Sequence, residues 1–430
     1  MGRDAWLPLL APLLAAGLDR LLGDPRRWPH PVQAMGALIA LLRQPLEHWA
    51  GDRPRRLRLA GLGITAATVV LSAAAGLALE RLAAWGWQQG LGAGLLFSLP
   101  LLLGLASALA SRSLEQAVQQ VLELLPPHPV NPPAPLATDA SGYPASSGPA
   151  SAPERPARPG PQDFAALGND IKPARQQLAW IVGRDTERLD EPEILRALAE
   201  TASENAVDGL FAPLFWMLVG SGFSLMALWT AAGAATSQAQ LELAVAPQEL
   251  GGLALKPQAL VPLAGMPLEL VPGPLSLAWG FKAASTLDSM LGYRRGRLRW
   301  LGSAGARLDD ALTWIPCRLV ALSLPLAASR PLQTWSLFRQ ALKQGRPDPS
   351  PNAGVSQAAY ALAARVRLGG LNHYGGEPRP KPILAPDQPS ADRAAVARIL
   401  ALSRRLLLLW LLLWMLAGGA ISWRLAACRA

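Results

Sequence analysis

The sequence predicts an all-α, multi-pass membrane protein with about four to five spans and helical loops on the cytoplasmic side. Three observations carry this. Residues 59–79, 91–110 and 406–423 are apolar runs near the ~20 residues that a bilayer-crossing helix needs. Hydrophobic residues make up 51% of the chain and charged ones only 16%, below the ~25% usual for a soluble domain. Basic residues border the apolar runs, with Arg53, Arg55, Arg56 and Arg58 before residues 59–79 and Arg404 and Arg405 before the last run. Such placement marks a cytoplasmic boundary and contact with anionic headgroups. The net charge of +10 therefore points to the bilayer, and no basic stretch interleaved with aromatics points to nucleic acid. A soluble protein with several buried core helices is the competing class.

Taken in order, residues 1–125 hold the N-terminal spans and one loop. Residues 5–22 form a weaker span, interrupted by Pro8, Pro12 and Asp19, and without a convincing cleavage site it reads as retained. The following loop contains Asp24-Pro25 and Pro29-His30-Pro31, which cannot continue a helix and hold an aspartate and a histidine at the membrane surface. Residues 126–161 are rich in Pro, Ala, Ser and Gly without apolar periodicity, the composition of a disordered insertion. Residues 162–233 carry helices over 165–182 and 191–198, an acidic segment, and a span weakened by Gly220 and Gly222. Residues 234–273 are a low-complexity connection, residues 274–398 concentrate polar motifs, and residues 399–430 hold the last span. Segment 311–329 is apolar but carries Pro316, Arg318 and Pro325, so it reads as a helix buried among others. A turn-rich loop over 348–354 precedes a helix over 355–366. Two Gly-Gly pairs then flank Asn372-His373-Tyr374, a loop whose backbone can approach an anionic ligand. Cys317 and Cys428 have neither metal nor disulfide spacing and read as free thiols.

The chemistry centres on AETASENAVDG, residues 199–209. Glu200, Glu204 and Asp208 are spaced so that each drifts only ~40° from the last on a helix, and their carboxylates share one face. Asn205 borders that face, and Gly209 and Pro213 are expected to end or bend the helix. A solvated acidic face is the plain reading. Yet acids at the mouth of an apolar segment are costly to bury unless they bind a cation, a proton or a cationic partner. With Asp24, Asp288, Asp309 and Asp310 they can supply Mg²⁺ ligands, usually one or two carboxylates plus substrate phosphates. Lys282, Arg307 and Arg318 can neutralise phosphate oxygens. The inventory suits phosphoryl-linked chemistry on an amphiphilic or membrane-associated substrate.

The ordered blocks GDPRRWPHPV, IVGRDT, AETASENAVDGLFAPLFW, STLDSMLGY, ARLDDALTWIPCR, SPNAG and RLGGLNHYGG resemble the adenosylcobinamide-phosphate synthase family of cobalamin biosynthesis. The resemblance runs from about Leu18 to Gly376, with 126–161 and 234–273 as insertions. It implies an integral inner-membrane carbon–nitrogen ligase using ATP and Mg²⁺. Such enzymes join a propionate carboxyl of adenosylcobyric acid to the amine of (R)-1-aminopropan-2-ol or its O-phosphate. A complex with other late corrinoid enzymes is a further expectation. On this reading Glu200, Glu204, Asp208 and Asp288 serve Mg²⁺ or the amine, with Asp309 and Asp310 as further metal ligands. Lys282, Arg307 and Arg318 hold phosphates, Asp24 and His30 form an acid/base or positioning pair, and Asn205, Asn352 and Tyr374 orient corrin side chains. The chain departs from the family pattern at Ser285 and Thr313, where asparagine is usual, at Cys317, where alanine is usual, and over 359–362, where Ala-Met-Ala-Gly is usual. A shared site requires loops 23–58, 111–209, 282–310 and 330–398 on one side of the membrane, with 311–329 not crossing. Two other readings compete: a corrinoid or polar-solute carrier whose path is lined by Asp19 and Arg318, and a non-catalytic scaffold.

Overall fold

The computed structural model describes residues 6–23, 30–126, 171–244 and 270–427. Asp24, Cys428 and nearly all of the 126–161 insertion lie outside the described residues. Five stretches are long and apolar enough to cross a membrane: Pro54–Gln89, Leu91–Ala108, Glu191–Leu228, Ser303–Ala327 and Arg393–Ala420. The protein is the all-α, multi-pass type expected from composition, with a single two-stranded hairpin among the described residues.

The first half runs α1 (Trp6–Leu22), α2 (Pro31–Ala50), α3 (Pro54–Gln89), α4 (Leu91–Ala108), α5 (Ser111–Glu123) and α6 (Lys172–Leu178). Of the helix expected over 165–182, α6 covers Lys172–Leu178, and residues 165–170 lie outside the described residues. Then come α7 (Glu191–Ala206), a π-helical turn (Val207–Phe211) and α8 (Ala212–Ala244), which runs past residue 233 into the expected connection. The second half runs α9 (Pro274–Leu291), α10 (Leu298–Leu301), α11 (Ser303–Ala327), α12 (Thr334–Gly345), α13 (Ala353–Ala364), β1 (Leu368–Tyr374), β2 (Glu377–Leu384) and α14 (Arg393–Ala427).

Helix α9 lies against α3 and α8, and small residues set the distance. A Cβ at Gly76 would collide with the Leu275 backbone, and one at Gly220 with the Gly273 backbone. This is the close backbone approach by which membrane helices associate. The outer faces stay apolar, with Leu59, Leu62 and Val70 of α3 and Leu408, Leu412 and Leu416 of α14 exposed. The start of α9 is sealed in an unusual way. Glu80 of α3 accepts hydrogen bonds from the backbone N–H groups of Gly273 (3.0 Å), Leu275 (2.6 Å) and Ser276 (3.0 Å). First-turn donors have no partner within their own helix, and lipid supplies none.

Helix α7 starts in a capping box, in which Asp190 accepts from the Glu193 N–H and Glu193 from the Asp190 N–H. Gly209 and Pro213 do not end the helix. The chain widens into the π-turn at Val207–Phe211 and continues as α8. One extra residue in the turn shifts every later side chain around the axis, a device frequent at functional sites.

The Asn372-His373-Tyr374 segment is a strand rather than a loop. β1 pairs antiparallel with β2, Tyr374 opposite Glu377, and Gly375-Gly376 make the two-residue turn at φ 61° and 83°. Pro378, Pro380 and Pro382 recur at every second position of β2. In an antiparallel ladder alternate residues hydrogen-bond, so their missing N–H groups fall on one side of this edge strand.

Candidate active site

Glu200, Glu204 and Asp208 share a helix face but have different surroundings. Glu200 is buried, and its carboxylate accepts from Arg184, from Arg196 Nη1 (3.3 Å) and from the Gly369 N–H (2.8 Å). The two arginines also donate to Asn372 Oδ1, at 2.9 Å and 3.0 Å, and Arg196 to the carbonyls of Gly369 and Leu371. The result is a buried clasp that locks the hairpin to α7. A second tie secures the turn: Asp185 accepts from the N–H groups of Gly375 (2.9 Å) and Gly376 (2.7 Å). These two donors hold its carboxyl below the usual range, against a smaller desolvation effect. The anion that meets the Gly-Gly backbone is thus the chain's own Asp185.

One turn on, Glu204 accepts, among the described residues, from Gln357 Nε2 of α13 at 2.8 Å, and faces Lys381 of β2 and Asp348. Burial alone would lower the Lys381 pKa. Its 2.7 Å ion pair with Asp348, with Glu204 beyond, outweighs this and raises it.

Asp208, in the π-turn, opens into a third environment. Its charge meets those of Glu204, Asp309, Asp288 and Lys282. Asp309 in turn faces Asp288, Asp310 and Lys282, and its Oδ1 is buried without a hydrogen-bond partner. Asp288, outside the five apolar stretches, has its pKa raised by burial and then by Asp310. Acids from the π-turn, α9 and α11 therefore lie within electrostatic reach of one another, and Lys282 faces Asp208 and Asp309.

Of the remaining expected residues, Asn352 and Arg318 adjoin Asp310, while the described others make contacts of their own away from the acids. Asn352 donates from Nδ2 to the Asp310 carbonyl (2.8 Å) and accepts at Oδ1 from Arg318 Nη1 (2.5 Å), while Arg318 Nη2 donates to the Pro351 carbonyl (2.8 Å). Arg318 thus supports the 348–352 loop beside the acids. Asn205 donates to Thr201 Oγ1 (3.1 Å). Tyr374 sits under the Arg379 guanidinium, 5.5 Å from its ring centroid. Arg307 is exposed. His30 caps α2, its Nδ1 accepting from the Val32 N–H at 3.2 Å. Asp19 accepts from the Ser111 N–H (3.1 Å) and hydroxyl, so it and Arg318 are both committed to structural contacts. At the departures from the family pattern, Thr313 is buried with Oγ1 unpartnered, Cys317 Sγ donates to the Asn352 carbonyl (3.3 Å), and Tyr360 hydrogen-bonds Ser403 (2.7 Å).

Sequence reasoning missed Arg184, Arg196, Gln357, Asp348 and Lys381. Arg196 was visible as the i−4 neighbour of Glu200, a spacing that favours an ion pair. The others act across 16 to 188 residues of chain, without a local signal.

A divalent cation can be tested against these groups. The orphaned Asp309 oxygen and the mutual repulsion of the acids both favour a bound positive charge. Among the described residues, however, no three His, Cys, Asp or Glu side chains gather closely enough to hold an ion by themselves. The set fits a Mg²⁺ shared with phosphate oxygens, which needs only one or two carboxylates, and does not fit an all-protein cage.

A family model described as "CobD/Cbib protein" matches residues 12–131, 158–239 and 259–403. The "Cobalamin biosynthesis protein CobD" of Synechocystis sp. is 33% identical over 423 residues, 96% of this chain and 95% of its own. The "Cobalamin biosynthesis protein CbiB" of Salmonella typhi is 29% identical, covering 92% and 93%. A CobD of Geobacter metallireducens is 31% identical, covering 89% and 88%. No solved structure matches. Near-complete coverage in both directions, together with a multi-pass helical fold, makes this chain a member of the CobD/CbiB family of cobalamin biosynthesis proteins.

Proposed function

We propose that this cobalamin biosynthesis protein is an ATP- and Mg²⁺-dependent amide synthase. It joins a carboxyl of adenosylcobyric acid to the amine of (R)-1-aminopropan-2-ol or its O-phosphate. The observation that carries the reading is that Asp208, Asp288 and Asp309, from three separate sequence blocks, lie within electrostatic reach of one another, with Lys282 facing Asp208 and Asp309. A carboxylate does not condense with an amine at neutral pH; ATP would supply the phosphoryl group that makes its oxygen a leaving group, and Mg²⁺ would offset the phosphate charge. The chain's own residues do the rest. Lys282, facing Asp208 and Asp309, offsets phosphate charge, and Arg318 with Asn352 fixes the loop at the edge of the site. Asp288, whose raised pKa keeps it a better base than an ordinary carboxylate, receives the proton of the incoming ammonium.

The chain path supports one shared membrane face for these groups. Helix α12, which follows α11, is a 12-residue amphipathic helix with exposed Arg339 and Lys343. At ~18 Å it is too short and too polar to cross a ~30 Å core. Yet just beyond it Ser350 and Asn352 touch Asp310, in the second turn of α11. The α11–α12 pair thus leaves and rejoins one surface. Cysteine labelling at Ser350 is expected to report the same side as a Cys at Asp52, and labelling from opposite sides breaks the shared site.

The decisive experiment is a reconstituted assay of adenosylcobyrate with ATP, Mg²⁺ and each amine form, read by mass. The expected product is the amide, and its absence with both amines overturns the reading. In cells lacking the synthase, the wild-type chain is expected to restore corrinoid amidation and Glu204→Gln to lose it.

A further inference from the structure

On the opposite side of the π-turn from Asp208, Leu210 lines a groove of about 540 Å³ between α1, α5 and α14. Its walls are Leu13, Gly17, Leu407, Leu411 and Met415. The two hydroxyls at its edge are turned away, Ser111 to Asp19 and Ser403 to Tyr360 (2.7 Å). A polar corrinoid or nucleotide would find no partner along this wall. At one end stand Arg20 and Arg404, both half-exposed, and both contact the single carboxylate of Glu115 at 2.7 Å and 3.6 Å. Arg112 adds a third guanidinium, donating to the Arg20 carbonyl at 3.1 Å. Among the described residues, three cations face Glu115 and the buried Asp19, whose carboxylate is turned to Ser111, and the exposed mouth is positive. From Arg404 to Met415 the groove follows α14 for ~16 Å, about half of a ~30 Å hydrocarbon core.

We propose that this groove binds one acyl chain of an anionic glycerophospholipid, with its phosphate held by Arg20 and Arg404. The charge at the mouth selects the headgroup, and the leaflet-deep apolar wall selects the chain. Gly17 gives the groove its width, since no atom lies within 4 Å of where its Cβ would stand.

The test is native mass spectrometry of the full chain released from vesicles of phosphatidylcholine and phosphatidylglycerol. The wild type is expected to retain one phosphatidylglycerol per chain in preference to phosphatidylcholine. Arg20→Gln/Arg404→Gln is expected to reduce that retention roughly tenfold or more. Gly17→Leu, which fills the groove and leaves the arginines in place, is expected to lose the lipid as well. Equal retention of the two lipids by the wild type overturns the proposal, as does wild-type retention by a folded Gly17→Leu chain. If Gly17→Leu does not fold, the double arginine variant decides alone, and undiminished phosphatidylglycerol retention there overturns it. The readout is lipid mass, so its failure leaves the amide synthase reading standing, and the reverse holds too.

Discussion

Glu200 and Asp208 stand on one helix face two turns apart, and the protein treats them in opposite ways. Glu200 has both oxygens engaged by Arg184, Arg196 and the Gly369 N–H. Asp208 looks toward Glu204, Asp288 and Asp309, with Lys282 as the cation among them. The contrast teaches that helical spacing gathers acids but does not assign them. A saturated carboxylate belongs to architecture, and a crowd of under-satisfied ones is suited to an incoming cation or phosphate. Glu204, with the Gln357 amide as donor, marks the border between the two.

The largest expected effect tests the crowded side. Asp309→Asn, which removes a carboxylate placed to hold Mg²⁺, should reduce amide formation ~100- to 1,000-fold, the range for one lost electrostatic contact, while the melting temperature holds or rises. A matching drop in melting temperature would make Asp309 structural and erase the contrast. On the saturated side, Glu200→Gln leaves two arginines short of their counter-ion. Thermal unfolding should then show a loss of ~3–5 kcal/mol, as for other broken buried pairs.

Smaller effects sharpen the border. Lys381→Met strands the buried Asp348 carboxylate and should cost ~1–3 kcal/mol. Because the folded Lys381 has a raised pKa, its contribution is present in full below the ordinary value of 10.5 and disappears as pH climbs through the folded value. The smallest effect belongs to Asp185, whose folded pKa is lowered. Its hold on the turn should persist above the ordinary value of 3.8 and fade as pH falls through the folded value. Faster amide exchange at Gly375 and Gly376 in acid, absent in Asp185→Asn, would report it.

The runs 59–79, 91–110 and 406–423 were legible because lipid imposes length and apolarity on each segment independently, whereas Ser303–Ala327, expected as a buried helix, is also long and apolar enough to cross. The acids of the cluster were legible as residue types in Pro- and Gly-marked blocks. Their partition was not. Nothing near Glu200 in sequence announces Gly369 or Asn372, since that contact is made by tertiary folding. The π-turn escaped because Gly209 and Pro213 signal a break equally well whether the helix stops or only changes register. The hairpin was hidden by Pro378, Pro380 and Pro382, which argue against a strand until their alternation is paired with a partner.

The cap that Glu80 places on α9 has a consequence for how the protein is made. Its side chain meets donors 193 to 196 positions later in the chain, so the receiving carboxylate is synthesised and inserted well before the helix it completes. The ribosome therefore delivers α9 to a waiting acceptor. Glu80→Ala should show as a defect of biogenesis, with newly made chains turned over by membrane proteases while molecules already assembled survive.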